Sequence, residues 1–364
     1  MGLRQGNGRV RIASVALAMV GAIGVGWAQE AASVQAAKMP KSPTDLMVLA
    51  AETNGLAGLD DRPWHVKATY QTFDADGKPE HLGIFEEWWA GPKRYKISYS
   101  SPDFQQTIYE DGVTQSRTGD VGWPPMQVEM VKNYLLQPLP SADFIGKARY
   151  KVENRKLGPM LLRCVQPGKL SPQLAQEAAL QNKPAGVGTA IPTTCFNEGL
   201  AAARVEIEAD ELITLFNQIV QADGHYVAKQ IVVEDGATQL ASLHVMTLEL
   251  PASIPEAELT PPATAVAAPP VPVNAEVFAG RRIGGDDVPY PMEAKSQHIE
   301  GLVLLSAVID KQGSIADLKV IAGPKALRNA AVDAVKTWKY KPYLLDGKPT
   351  EVETQINVIF TLGR

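Results

Sequence analysis

Cysteine is scarce in this chain. Cys164 and Cys195 are the only two in 364 residues, and they form no CxxC pair. That excludes a fold built on disulfides and a cysteine-ligated metal or redox motif. Histidine is nearly as rare. His65, His81, His225, His244 and His298 are scattered without ligand spacing, so no metal and no cofactor are expected. GxSxG, GxxxxGK(S/T), HExxH and EF-hand patterns are missing. Glu86 and Glu87 point to opposite faces of one strand and cannot act as a carboxylate pair, so the chain is read as a non-enzyme. Positive charge is not in excess: 35 basic residues face 40 acidic ones, for a net charge of −5. Without a basic surface, no nucleic-acid partner is expected. No long apolar run follows residue 28, which excludes a multi-span helical membrane protein.

The one such run is N-terminal. Arg4, Arg9 and Arg11 precede an uncharged stretch, Ile12–Ala28, that ends in the small residues Gly26 and Ala28. This is the layout of a signal peptide over residues 1–28. Residues 12–28 also sit at the short limit of a membrane span, so an inner-membrane anchor is the alternative. Either way the remainder is placed in the periplasm, an oxidising compartment. There Cys164 and Cys195 are expected to pair. The bridge would close a loop rich in Gly and Pro and stabilise by about 3–4 kcal/mol on the chain-entropy account.

Composition divides the rest. Residues 251–274 contain seven Pro and six Ala in 24 and no aromatic residue. Because Pro fixes φ and removes an amide donor, this stretch is expected to be an extended Pro/Ala-rich linker with neither helix nor strand. Before it, residues 42–250 show a mostly β pattern with two helices. Ser42 or Thr44 can cap a helix reaching Thr53, and Pro125–Leu136 has apolar residues at helical spacing. Trp64, Val66, Ala68 and Tyr70 alternate with polar residues as in a strand with one buried face. Asp76-Gly77, Asp111-Gly112, Asp223-Gly224 and Asp235-Gly236 mark hairpin turns. Arg204–Glu208, Ile213–Val220, Tyr226–Val233 and Leu240–Leu250 read as later strands. The expected fold class is α+β. It comprises a curved antiparallel, half-barrel-like sheet with helices on its concave side, the linker, and a small C-terminal α-β-β-α-β domain.

That terminal domain, residues 281–364, carries twelve basic and ten acidic residues. Pro291 can open a short helix. Gly301–Ile309 is apolar on both faces and should be a central strand. A turn at 310–313 leads to a partner strand over 314–322. Leu327, Ala331, Ala334, Val335 and Trp338 form one stripe of a helix. The last strand presents Val352, Thr354, Ile356, Val358 and Phe360 on one face, with Glu353, Gln355 and Asn357 on the other. A right-handed crossover gives the order second–first–third, which leaves the last strand at an edge. Glu351 and Glu353 are expected to guard the start of that edge, but from Gln355 to Leu362 it has neither charge nor Pro to blunt it.

The spacing of Tyr290, Pro291, Ala294, Gly301, Val303, Ile309, Asp310, Gly313, Leu327, Ala331, Ala334, Trp338, Tyr340, Pro342, Gly347, Pro349, Val358 and Phe360 resembles the C-terminal domain of the TonB energy-transducer family. The chain departs from family members in having no histidine before His65, Pro289 beside Tyr290, and a large inserted domain. The resemblance implies a periplasmic protein that binds segments of outer-membrane TonB-dependent receptors by strand addition. The contact residues implied are Tyr290, Gln355, Ile356, Asn357, Val358, Ile359 and Phe360. It further implies an inner-membrane motor complex as a second partner. Residues 42–250 resemble, in strand order and spacing alone, the half-barrels of periplasmic lipoprotein carriers. That implies an alternative role as a lipid or lipoprotein carrier with a lipid in the N-terminal domain. An envelope scaffold is the third reading.

Overall fold

The computed structural model describes residues 39–362 apart from 60–61, 113, 121–123, 158, 169–170, 172–190, 198, 209–211, 268–281 and 346–347. The segment read as a signal peptide or anchor, 1–28, lies outside the described residues. Among those described, no helix is long and apolar enough to cross a membrane.

The first module opens with α1 (Pro43–Thr53). Ser42 caps it, its Oγ accepting from the Asp45 amide at 3.3 Å. Five strands follow: β1 (Trp64–Phe73), β2 (Pro79–Gly91), β3 (Arg94–Ser100), β4 (Gln105–Glu110) and β5 (Gln115–Gly119). Then come α2 (Met126–Leu136), α3 (Ala142–Gly146), β6 (Tyr150–Leu157), β7 (Met160–Pro167) and β8 (Thr193–Asn197). The meander closes with β9 (Ala203–Glu208), β10 (Leu212–Ala222), β11 (His225–Asp235) and β12 (Thr238–Glu249). These strands form one antiparallel, curved sheet in the order β5-β4-β3-β2-β1-β12-β11-β10-β9-β8-β7-β6.

The helix α2 packs across β1, β12 and β11. Eight of its eleven residues are buried, including Gln127 and Lys132, so it is enclosed on nearly every side. A helix that buried acts as a plug rather than a lid. The tip of α1 is pinned by Asn54. Its Nδ2 donates to the carbonyls of Ala50 and Ala201, both at 2.8 Å, and its Oδ1 accepts from the Ala203 amide at 2.9 Å. Cys164 and Cys195 face each other in register on β7 and β8 and form the disulfide, with Cα atoms 3.9 Å apart.

The expectation of an extended stretch after residue 250 is corrected in its first part. A one-turn helix, α4 (Glu256–Leu259), and a two-residue strand, β13 (Val266–Ala267), are present. The helix fits between Pro255 and Pro261, so no proline has to donate within it. Glu256 and Glu258 form ion pairs with Arg94 and Lys96 on β3. The strand pairs with Arg117 and Ser116 of β5, covering that end of the sheet. Residues 268–274 of the same stretch lie outside those described.

The second module comprises β14 (Arg282–Gly284), α5 (Met292–Ser296), β15 (Gly301–Ile309), β16 (Ile315–Ala322), α6 (Lys325–Val335), β17 (Lys339–Tyr340), β18 (Tyr343–Leu345), β19 (Lys348–Thr350) and β20 (Val352–Phe360). Its main sheet has the order β16-β15-β20. The central place of β15 follows from its apolar composition on both faces. Leu327, Ala331 and Val335 of α6 are buried against Val303, Leu305, Ala307 and Ile309 of β15 and Val352, Ile356, Val358 and Phe360 of β20. Gly313 turns the chain between β15 and β16 with φ +83°. A Cβ there would lie 1.9 Å from the Tyr340 carbonyl oxygen, so the close approach of β17 requires glycine.

Candidate functional site

The residues implied by the sequence converge on one edge. Among the described residues, β20 pairs along its whole length with β15 and with no strand on its other side. Val358 and Phe360 anchor the strand in the core, while Asn357 is exposed and Ile359 is 71% exposed. Tyr290 is brought to the end of this strand. Its ring meets Phe360 edge-on with centroids 5.5 Å apart, and its hydroxyl donates to the Ile299 carbonyl at 2.8 Å. Met292, one residue into α5, is strongly exposed nearby in sequence. The structure therefore gathers Tyr290 and the Asn357–Phe360 stretch into one rim of backbone groups and apolar side chains.

The start of the same strand has different surroundings. Directly opposed residues share a face of a sheet. By register, Lys319, Ser306 and Gln355 form one row across β16, β15 and β20, and Asp317, Val308 and Glu353 form the next. This is the face turned away from α6. On it Gln355 is only 6% exposed, and Glu353 is half-buried. Ser306 Oγ donates to Glu353 at 2.9 Å. Burial pushes the Glu353 carboxyl up to about 7; the Ser306 hydrogen bond opposes this, and the negative charges of Glu129 on α2 and Asp317 add to it. Glu353 thus feels a residue of the first module and does not serve as a solvated guard charge.

The first module reaches this sheet through two hairpin turns. Asp74 Oδ1 accepts from the amides of Asp76 and Lys78, both at 2.9 Å, and Gly77 takes φ +81°. The turn is therefore held by Asp74, and the Asp76 carboxylate is left to bind elsewhere. It accepts from Lys325 Nζ at 2.9 Å and from Arg328 Nη1 at 2.9 Å. These two cations hold the Asp76 carboxyl below its usual range. Arg328 Nη2 also donates to the Ala75 carbonyl at 2.8 Å. Glu80 on β2 accepts from Lys319 at 2.6 Å. At the second turn, Asp235 Oδ2 accepts from the Gly323 amide at 2.7 Å. Sequence reading marked Asp76 and Asp235 as turn residues only; partners more than 80 residues away in sequence leave no local pattern.

A polar cluster lies under the concave face. Tyr99 donates to Glu129 at 2.5 Å, and Lys132 contacts Tyr99 at 2.8 Å and Glu129 at 2.5 Å. Burial pushes Glu87 beside them up to about 7, with Lys132 opposing and Glu129 adding to the shift. His65 stacks on Trp88 with centroids 3.5 Å apart and reaches Glu86 and Glu249 at 2.9 and 3.1 Å. No group of three metal-ligating residues occurs among the described residues.

The second module is thus a three-stranded sheet with one strand edge unpaired among the described residues, appended to a helix-plugged β domain. Comparison with known proteins finds sequence similarity in the second module. Residues 286–362 match the family model for the C-terminal part of Gram-negative bacterial TonB protein. Over 75 residues the chain is 35% identical to Protein TonB of Vibrio cholerae, which is 20% of this chain and 31% of that relative. The chain thus spans about a third of the length of the curated relative it matches.

Among solved structures, a LolA superfamily protein from Nitrosomonas europaea aligns with 61% of this chain and 99% of its own, at 10% identity and a TM-score of 0.38. A lipoprotein-sorting protein domain, described as putative and outer-membrane, from Vibrio parahaemolyticus aligns with 54% of this chain and 89% of its own, at 9% identity and a TM-score of 0.32. MucB aligns with 82% of this chain and 98% of its own, at 8% identity and a TM-score of 0.37.

Proposed function

We propose that this chain is a TonB-like periplasmic adaptor that binds extended segments of outer-membrane transport receptors by adding them as a strand beside β20. The observation that carries this reading is the edge of β20, paired on one side only among the described residues. The match of residues 286–362 to the TonB C-terminal family supports it. A guest strand would gain main-chain hydrogen bonds along Ile356–Phe360, with Tyr290 and Phe360 at one end as an aromatic stop. Five such bonds at ~0.5–1.5 kcal/mol each are of the order needed for a micromolar grip. Apolar guest side chains would pack beside Ile359, and polar ones beside Asn357.

Export is part of the proposal, because a receptor segment of this kind is presented in the periplasm and the disulfide suits that compartment. The test is an NMR titration of the isotopically labelled chain with peptides from periplasmic N-terminal segments of outer-membrane receptors. Amide shifts confined to Ile356–Phe360 and the Tyr290 region are expected. Unchanged amides at millimolar peptide reject the proposal.

A further inference from the structure

The open edge and the buried face belong to the same strand, and they divide it. Among the β20 residues on the face away from α6, Gln355 is buried and Glu353 half-buried, whereas Asn357 and Ile359 are exposed. The buried residues of both helices, Ala294 of α5 and Leu327, Ala331 and Val335 of α6, pack on the opposite face of the sheet. The contacts name the cover: Glu80, Asp76, the Ala75 carbonyl and Asp235 from the first module grip Lys319, Lys325, Arg328 and the Gly323 amide. Glu129 of α2 stands close enough to perturb Glu353.

We infer that the β domain is an intramolecular cap on the second module. A guest strand first reaches only the Ile356–Phe360 end of β20, and it must lift the cap to extend along Glu353–Gln355.

This inference rests on the strand-addition reading and adds its regulation. A strand paired beside β20 places alternate side chains on each face. Beside Asn357 and Ile359 those side chains meet open space. Beside Glu353 and Gln355 they meet the β domain. Full pairing is therefore reserved for molecules whose cap is open, and apparent affinity falls by the open fraction. The cap is built to be reversible. Its ties are ion pairs at turns, two of them on one exposed carboxylate, and exposed pairs are individually weak and sensitive to salt. Across the joint Glu353 faces a like charge, Glu129 of α2, which opposes closure when both are ionised.

The test uses the full chain with two double variants, D76A/E80A and K319E/K325E, which cut the Asp76–Lys325 and Glu80–Lys319 pairs from opposite sides. None of these four residues lies on the β20 rim, and the Asp74 cap of the turn is untouched. Hydrogen–deuterium exchange of the 352–360 segment is measured without ligand. Affinity for a receptor N-terminal peptide is then measured by fluorescence anisotropy. Faster exchange over Glu353–Gln355 and a gain in affinity of about threefold to tenfold are expected in both variants, with near-UV circular dichroism unchanged. Faster exchange with wild-type affinity overturns the inference and leaves strand addition standing. Failure of wild type and both variants to bind any receptor peptide overturns strand addition, and this inference with it. Unchanged exchange in both variants shows that these ties hold no cap and refutes the inference.

Discussion

Replacing Glu353 by Gln should stabilise the protein in a strongly pH-dependent way. The wild-type carboxyl is raised from an ordinary 4.5 to about 7 in the folded chain, chiefly by burial. A raised carboxyl binds its proton more tightly in the folded state. Its contribution is therefore fully present below about 4.5 and is lost as pH rises through about 7. At ~1.4 kcal/mol per pH unit, the loss by pH 8 is about 3 kcal/mol, against about 1 kcal/mol at pH 5. Glutamine keeps an oxygen that accepts from Ser306 and has no charge to bury. The variant should therefore exceed wild type by about 1 kcal/mol at pH 5 and by about 3 kcal/mol at pH 8. Paired urea titrations at pH 5, 6, 7 and 8 measure the gap directly and cancel the contributions of other groups. Lifting the cap and unfolding the module both return Glu353 to water, so either transition reports it. A gap that stays constant across these pH values would refute the reasoning.

Two further predictions concern the β domain. The double variant C164S/C195S should lose about 3–4 kcal/mol, read as a lower urea midpoint, and the wild type should match it in dithiothreitol. Asn54→Ala removes three buried hydrogen bonds at the tip of α1 and strands the Ala203 amide. A loss of about 2–4 kcal/mol by thermal or urea unfolding is expected, with Asn54→Asp recovering only the part owed to the Ala203 contact.

Much of this architecture was legible in particular residues. Gly301–Ile309 is apolar at every position but one, and only a central strand buries both faces. The stripe Leu327, Ala331, Ala334 and Val335 marked the face of α6, and alternation from Val352 to Phe360 marked the edge strand. Ser42 announced α1, and the Asp-Gly turns set the spacing of β10 to β12. What escaped was set by distance. The charges on Asp76 and Asp235 look like turn chemistry, and their partners, on α6 and at Gly323 just before it, are 88 to 252 residues away. Proline density in 251–267 pointed away from regular structure. Yet a single helical turn needs no internal amide from its prolines, and Arg94 and Lys96 supply the charges that hold it. Gln355 and Glu353 read as the solvated face of an edge strand, because a neighbouring domain leaves no periodic mark on the strand it covers.

The strap formed by α4 and β13 also shortens the leash between the two modules. With residues 251–267 fastened to β3 and β5, only residues 268–281 separate Ala267 from Arg282. Those fourteen residues span at most about 50 Å even when fully drawn out. A module that has let go is thus kept within a small volume around its former seat, at an effective concentration on the order of millimolar. Recapture then proceeds at a rate independent of how much protein the compartment holds, and a peeled strap would dilute the module by lengthening its reach.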